Sequence, residues 1–201
     1  MKRLALFSAL LLMPLVAAAQ EATLFNDGVN HGGYGGLFTK ITPMNGSAAL
    51  MLGAEATWLI DDQAYVGVQA QGLINEVDAN TMQSNGQPYL LWVNEAGLRG
   101  GYIHHSEDLV HFSAGAFLGI GSLQLADRYF WWDPAKVETL GDEEYYFVAE
   151  PEVAAELNVT KWMRTKVAGS YRIVAGADAN GMTSGDLGGP AGSITLMFGS
   201  F

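Results

Sequence analysis

His104, His105, Ser106 and Glu107 stand together in this chain, and a serine with a histidine and an acid nearby supplies the parts of an activated hydroxyl nucleophile. Four consecutive polar residues are also what a tight turn uses. The run from Asp178 through Asn180 to Asp186 spaces oxygen donors somewhat as a calcium loop does. The Glu that closes a helix-loop-helix calcium site is missing from it, however, so a Gly-rich connection is the better reading. Gly32, Gly33, Gly35 and Gly36 flank Tyr34 like a phosphate cradle, yet they open an extended segment with no helix behind it. Glycines there relieve crowding beside large side chains. His31 and His111 have no acid or second histidine at convincing metal spacing. The expectation is a protein with no catalytic residues, no cofactor site and no metal site.

Composition narrows the classes further. The 201 residues are 49% hydrophobic and 15% charged, contain no Cys, and carry a formal charge of −11. Disulfide frameworks, thiolate chemistry and a lipidated cysteine are excluded, and the acidic balance repels nucleic acid. Residues 1–19 read as an export signal: Lys2 and Arg3, an apolar run from Leu4 to Val16, then Ala17, Ala18 and Ala19. That run is shorter than the roughly 20 residues a spanning helix needs. The mature chain is expected to begin at Gln20, with a periplasmic segment over 20–31 and one domain over 32–201. No later stretch is long and apolar enough for a spanning helix, so the remainder is either soluble or crosses a membrane as a closed barrel.

From Gly32 onward the apolar residues recur with period two. Strands are predicted near 32–42, 47–60, 64–76, 88–103, 109–125, 144–159, 162–175 and 190–201, which makes the chain all-β. Leu50, Leu52, Ala54, Ala56 and Trp58 share one face of the second segment, and Met51, Gly53, Glu55 and Thr57 the other. Val153, Ala155, Leu157 and Val159 likewise oppose Glu150, Glu152 and Glu156. One face is greasy, the other small or charged. Arg164, Lys166 and Arg172 lie in phase on the next segment, and a turn near Val159 to Lys161 sets Glu156 almost opposite Arg164. With Glu95, Arg99 and Glu55 these residues are read as an ion-pair network inside a narrow barrel. Eight strands leave an interior only about wide enough for side chains.

The connections alternate as well. Those after the second, fourth and sixth segments are tight, and those after the third, fifth and seventh are long: Val77 to Gln87, Ala126 to Glu143 and Gly176 to Gly189. Only the first, Pro43 to Gly46, breaks the rule by being short. Even strand number, short turns at one end and long loops at the other are the pattern of an antiparallel up-and-down transmembrane β-barrel. Trp58, Tyr102 and Trp162 beside tight turns, and Tyr89, Trp92, the run from Tyr129 to Trp132, and Tyr145, Tyr146 and Phe147 on the long-loop side, suit interfacial girdles. Tyr129, Phe130, Trp131 and Trp132 are read as an extracellular aromatic loop. They either anchor in the outer leaflet, extend a strand, or form a patch for a protein partner.

The chain closes Ile194, Thr195, Leu196, Met197, Phe198, Gly199, Ser200, Phe201. It thereby resembles the small outer-membrane β-barrels of Gram-negative-type bacteria, the OmpA transmembrane domain, OmpX and OmpW kind. It is similar in particular to small barrels of the Bacteroidota and related phyla. The resemblance covers the mature chain as a pattern, with Phe201 its residue-level match. It implies that Phe201 belongs to a signal read by the barrel-assembly machinery and that the partners are outer-membrane lipid and lipopolysaccharide. It also implies an outer-membrane location with both termini periplasmic, and brings no known reaction with it. Phe201 is out of phase with Ile194, Leu196 and Phe198, and a bulge at Gly199 would restore the phase. The leading expectation is a non-enzymatic barrel with a structural, adhesive or partner-binding role. The alternatives are a narrow channel for ions or small hydrophobic molecules, a lipid-modifying rim enzyme using Ser106, and a soluble lipocalin-like binder.

Overall fold

The computed structural model describes residues 30–127, 139–177 and 181–201. Within them the chain forms β1 (His31–Met44), β2 (Ser47–Ile60), β3 (Ala64–Leu73), β4 (Asp78–Met82), β5 (Pro88–His104), β6 (Val110–Ala126), β7 (Thr139–Thr160), β8 (Met163–Ala175), the short helix α1 (Ser184–Leu187) and β9 (Gly189–Ser200). Each long strand pairs antiparallel with its neighbours in sequence, and β1 also pairs with β9 and β3 with β5. The sheet therefore closes into an eight-stranded barrel without free edges. The ninth strand, β4, pairs only with the start of β5 and stands beyond the barrel at the long-loop end.

Turn chemistry sets the register. Met44 and Ser47 pair across Asn45 and Gly46, both at positive φ (48° and 74°), the two-residue hairpin that Asn-Gly favours because both positions need the left-handed region. Asp61 and Asp62 also take positive φ in the β2–β3 turn. There they hold the chain's entry to β1: Asn30 donates its backbone N–H to Asp61 Oδ1 at 3.0 Å and its Nδ2 to Asp62 Oδ2 at 2.8 Å.

Three expectations need correction. The β7–β8 turn is centred one residue later than predicted, with Thr160 paired to Met163, so Glu156 lies opposite Lys166, and Arg164 opposite Asn158. The connections over 77–87 and 176–189 are not plain loops, since they carry β4 and α1. In α1, Asp186 accepts hydrogen bonds from the backbone N–H and hydroxyl of Thr183 at 2.7 and 2.8 Å, which occupies an oxygen read as a calcium donor. Finally, β9 runs against β1 with unbroken register through Gly199 and Ser200, so no bulge turns Phe201 outward. The leader, residues 20–29, Tyr129, Phe130, Trp131, Trp132, Asp178 and Asn180 lie outside the described residues.

Candidate functional site

The alternation sorts the side chains to opposite sides of the barrel wall. Leu37, Leu52, Val68, Leu98, Leu118, Val153, Val167 and Ile194, one from each barrel strand, all point outward and are exposed. Among the described residues no Asp, Glu, Lys or Arg lies exposed in the middle of a barrel strand. Trp58, Tyr102 and Trp162 project outward near the tight turns, and Tyr145, Phe147 and Tyr171 towards the long-loop end. Tyr146, predicted with the long-loop aromatics, points inward instead.

The interior has three layers. At the long-loop end Met44, Met51, Leu73, Val77, Leu91, Leu123, Leu125, Met182 and Leu187 form an apolar cap, joined by residues of the connections that carry β4 and α1. At the short-turn end Tyr34, Leu59, Tyr65, Ile103 and Met197 form a smaller cluster against which Phe201 packs. The lumen face is thus not only small or charged, as alternation alone suggested. Its large side chains fit because glycines lie across from them. A Cβ on Gly121 would sit 2.1 Å from the Tyr146 ring, one on Gly53 2.2 Å from Phe38, and one on Gly115 2.2 Å from the Tyr65 hydroxyl.

Between the caps lies the ionic layer. Arg172 donates to both oxygens of Glu95, at 2.9 and 2.6 Å, and neither side chain has accessible surface. Tyr146 and Gln71 also donate to that carboxylate, at 2.6 and 2.5 Å, which satisfies it from four directions. Lys40 meets Glu150 at 2.7 Å, Ser170 donates to Glu150 at 2.6 Å, and Arg172 approaches it at 3.5 Å. Arg99 pairs with Glu55 and lies 3.4 Å from Glu152, while Lys166 reaches Glu152 at 3.0 Å and Glu55 at 3.8 Å. Nearer the tight turns Glu156 accepts from Ser113 at 2.6 Å and faces His111 Nε2 at 3.3 Å. Charges taken from water this completely persist only when paired and hydrogen-bonded.

The structure thus gathers Glu55, Glu95, Arg99, Glu150, Glu152, Glu156, Lys166 and Arg172 in one lumen, with Arg164 at its short-turn mouth. Sequence reasoning missed Lys40, although it lies in phase with Phe38 and Thr42 and out of phase with Leu37 and Ile41. It also left Gln71, Tyr146 and Ser113 out of the network. The cavity between Lys40, Gln69, Arg99, Glu150 and Glu152 measures about 10 Å³, room for roughly one water. Ser106 is buried in the β5–β6 turn, and its carbonyl accepts from Asn158 at 3.0 Å. His104 and His105 stack on each other outside at 3.9 Å, with His105 3.7 Å from Asp108. Among the described residues no group of three or more His, Asp or Glu side chains is arranged to hold a metal ion.

The chain superposes on the N-terminal β-barrel domain of Pseudomonas aeruginosa OprF with a TM-score of 0.52 and 9% identity, covering 84% of this chain and 96% of that one. On Neisserial surface protein A the TM-score is 0.50 at 11% identity, covering 87% and 99%. The fold is that of the small outer-membrane β-barrels. No protein-family model and no curated protein matches the chain by sequence. At these identities the likeness between the barrels is one of architecture. The lumen residues are described by this chain's own geometry.

Proposed function

We propose that the protein is a non-enzymatic, integral outer-membrane β-barrel that acts through its rims and exterior, with a structural, adhesive or partner-binding role. The observation that carries this is the sealed lumen. A hydrogen-bonded ionic layer lies between two apolar caps, inside a wall whose outer middle bears no charge. A filled interior favours a closed barrel over a channel, and an apolar exterior is favourable only against hydrocarbon. In this reading residues 1–19 are removed on export, both termini face the periplasm, and lipid and lipopolysaccharide surround the wall. The barrel-assembly machinery inserts the chain, and any protein partner meets the long loops, the aromatic run Tyr129, Phe130, Trp131 and Trp132 among them.

Fractionation and electrophoresis test the proposal together. The protein should partition with the outer membrane, and its gel mobility should shift on boiling because the closed barrel resists cold SDS. Incorporated into planar bilayers it should give no discrete conductance. Recovery as soluble periplasmic protein overturns the membrane reading, and reproducible single-channel steps overturn the closed-lumen reading.

A further inference from the structure

Glu55, Glu95, Glu150 and Glu152 each have a lysine or arginine within ion-pair distance. Among the described residues Glu156 is the lumen carboxylate that has none; its ion-pair partner is His111 on β6, whose Nε2 lies 3.3 Å away. His111 is 1% exposed, and its other nitrogen, Nδ1, lies 3.1 Å from the Asp108 carbonyl in the β5–β6 turn. Both ring nitrogens thus face oxygens that accept, whereas a neutral imidazole has a single N–H to donate. The arrangement is complete only for an imidazolium, with one N–H donated to Asp108 and the other to Glu156.

Arg164 is the competitor for that carboxylate. Among the described residues it is the buried Lys or Arg without a carboxylate within ion-pair distance. Its Nη2 donates to the Ser106 carbonyl at 3.4 Å, and its guanidinium lies 4.2 Å from the centre of the Phe201 ring. Lys166 stands opposite Glu156 across β7 and β8, so Arg164 is the diagonal neighbour of Glu156, a spacing that long side chains bridge. One carboxylate therefore has two cations to choose from. The arginine is always charged, and the histidine is charged only while it keeps its second proton.

The surrounding charges are committed elsewhere. Lys166 is held by Glu152 at 3.0 Å, Arg99 by Glu55, and the Asp108 side chain faces the exposed His105 at 3.7 Å. Tyr34 on β1 and Tyr65 on β3 lie within electrostatic reach of Glu156, Asp62 in the β2–β3 turn within that of Arg164, and Glu107 shares a cavity wall with Arg164. Phenols and carboxyls, the chain terminus at Phe201 included, ordinarily titrate outside about pH 5 to 8.

We propose that Glu156 exchanges partners with pH: the His111 imidazolium holds it in acid, and Arg164 takes it once that proton leaves. A buried carboxylate stripped of its charge partner is unfavourable, and Arg164 meets the need by letting go of Ser106 and the Phe201 ring. The short-turn end is thereby latched in acid and loosened in base. The proposal goes beyond the closed-barrel reading and holds whether or not the lumen conducts.

Full-length protein in detergent micelles, labelled with nitrogen-15 at histidine and arginine and titrated over about pH 5 to 9, provides the test. At the acid end both His111 ring nitrogens should carry protons. As one proton leaves with rising pH, the Arg164 Nε–H resonance should shift with the same midpoint. In His111→Phe that resonance should stay at its alkaline position throughout, and in Glu156→Gln it should stop responding to pH. The proposal is overturned if His111 keeps one charge state across the range, or if Arg164 stays still while His111 titrates. It is equally overturned if the Arg164 shift survives either substitution, which would assign the response to the exposed His31, His104 or His105. The coupling is read in the unsubstituted protein, so it decides the matter even where a variant fails to fold.

Discussion

Glu95 and Arg172 are both shut off from solvent, joined by two hydrogen bonds, and tied to Tyr146, Gln71 and the Leu187 carbonyl. The stability lies in the pairing, because each charge alone would be buried without compensation. Arg172→Met should therefore destabilise the barrel by about 3–5 kcal/mol. The double variant Glu95→Leu with Arg172→Met should recover a large part of that loss, since a well-packed apolar pair can replace a buried ionic one. Urea unfolding in lipid vesicles, followed by tryptophan fluorescence, measures both. Equal losses in the single and double variants would mean that the side chains' packing against Met51 and Leu187 matters more than their charges. Phe201 poses a different question at this scale. Its ring stacks on Tyr34 with centroids 5.5 Å apart and covers Arg164, so its local role is to close the short-turn end of the lumen.

Strands β5 and β6 bring Gly101 and Gly115 against Tyr65 and Gly121 against Tyr146, while Gly119 makes room for Phe117 on its own strand, and this spacing lets a narrow barrel hold all three rings at once. Gly121→Ala should drive the Tyr146 ring off its position and strain its hydrogen bond to Glu95, costing about 1–3 kcal/mol. Gly169→Ala, on the outer face of β8 with nothing within 4 Å, should stay within about 0.5 kcal/mol of the parent. Thermal unfolding of the two variants in the same lipid separates a packing requirement from a general intolerance of alanine. The strands themselves were legible: the alternation from Leu50 to Ile60 placed β2 at its observed limits, whereas the short connection expected over Pro43 to Gly46 narrows to the two-residue turn Asn45-Gly46. What could not be read was anything set by a single residue of register. Moving the turn from Thr160 to Lys161 and Trp162 exchanged Arg164 for Lys166 as the cross-strand partner of Glu156 and left Arg164 unpaired. The strand β4 and the helix α1 were missed for another reason. Both are short and polar, and they are held by contacts distant in sequence, such as Asn45 Nδ2 donating to the Asp78 carbonyl at 2.8 Å and Asn80 Nδ2 to that of Gly181 at 2.9 Å.

The whole molecule reverses the usual arrangement of a globular protein, with its ionic groups at the centre and its aliphatic groups on the outside. In water this would be doubly unfavourable, since the lumen charges forgo hydration while the wall exposes apolar surface. Hydrocarbon removes the second penalty, and closure of the sheet satisfies the backbone that lipid cannot. Leu37, in the middle of β1 and 62% exposed, tests this balance without touching the lumen. Against lipid, Leu37→Lys should cost about 2–4 kcal/mol, as a cation near the bilayer midplane does, and slow folding into vesicles. Against water the same change would be an ordinary surface substitution, within about 0.5 kcal/mol of the parent and more soluble. Thr39→Lys, two residues along on the same face, should cost less if it lies closer to the bilayer surface, because the penalty falls with distance from the midplane. Unfolding free energies of the two variants in vesicles decide the matter. Two large, unequal losses mean that lipid wets the wall, and two negligible ones would place the apolar face in water and remove the basis for a membrane barrel.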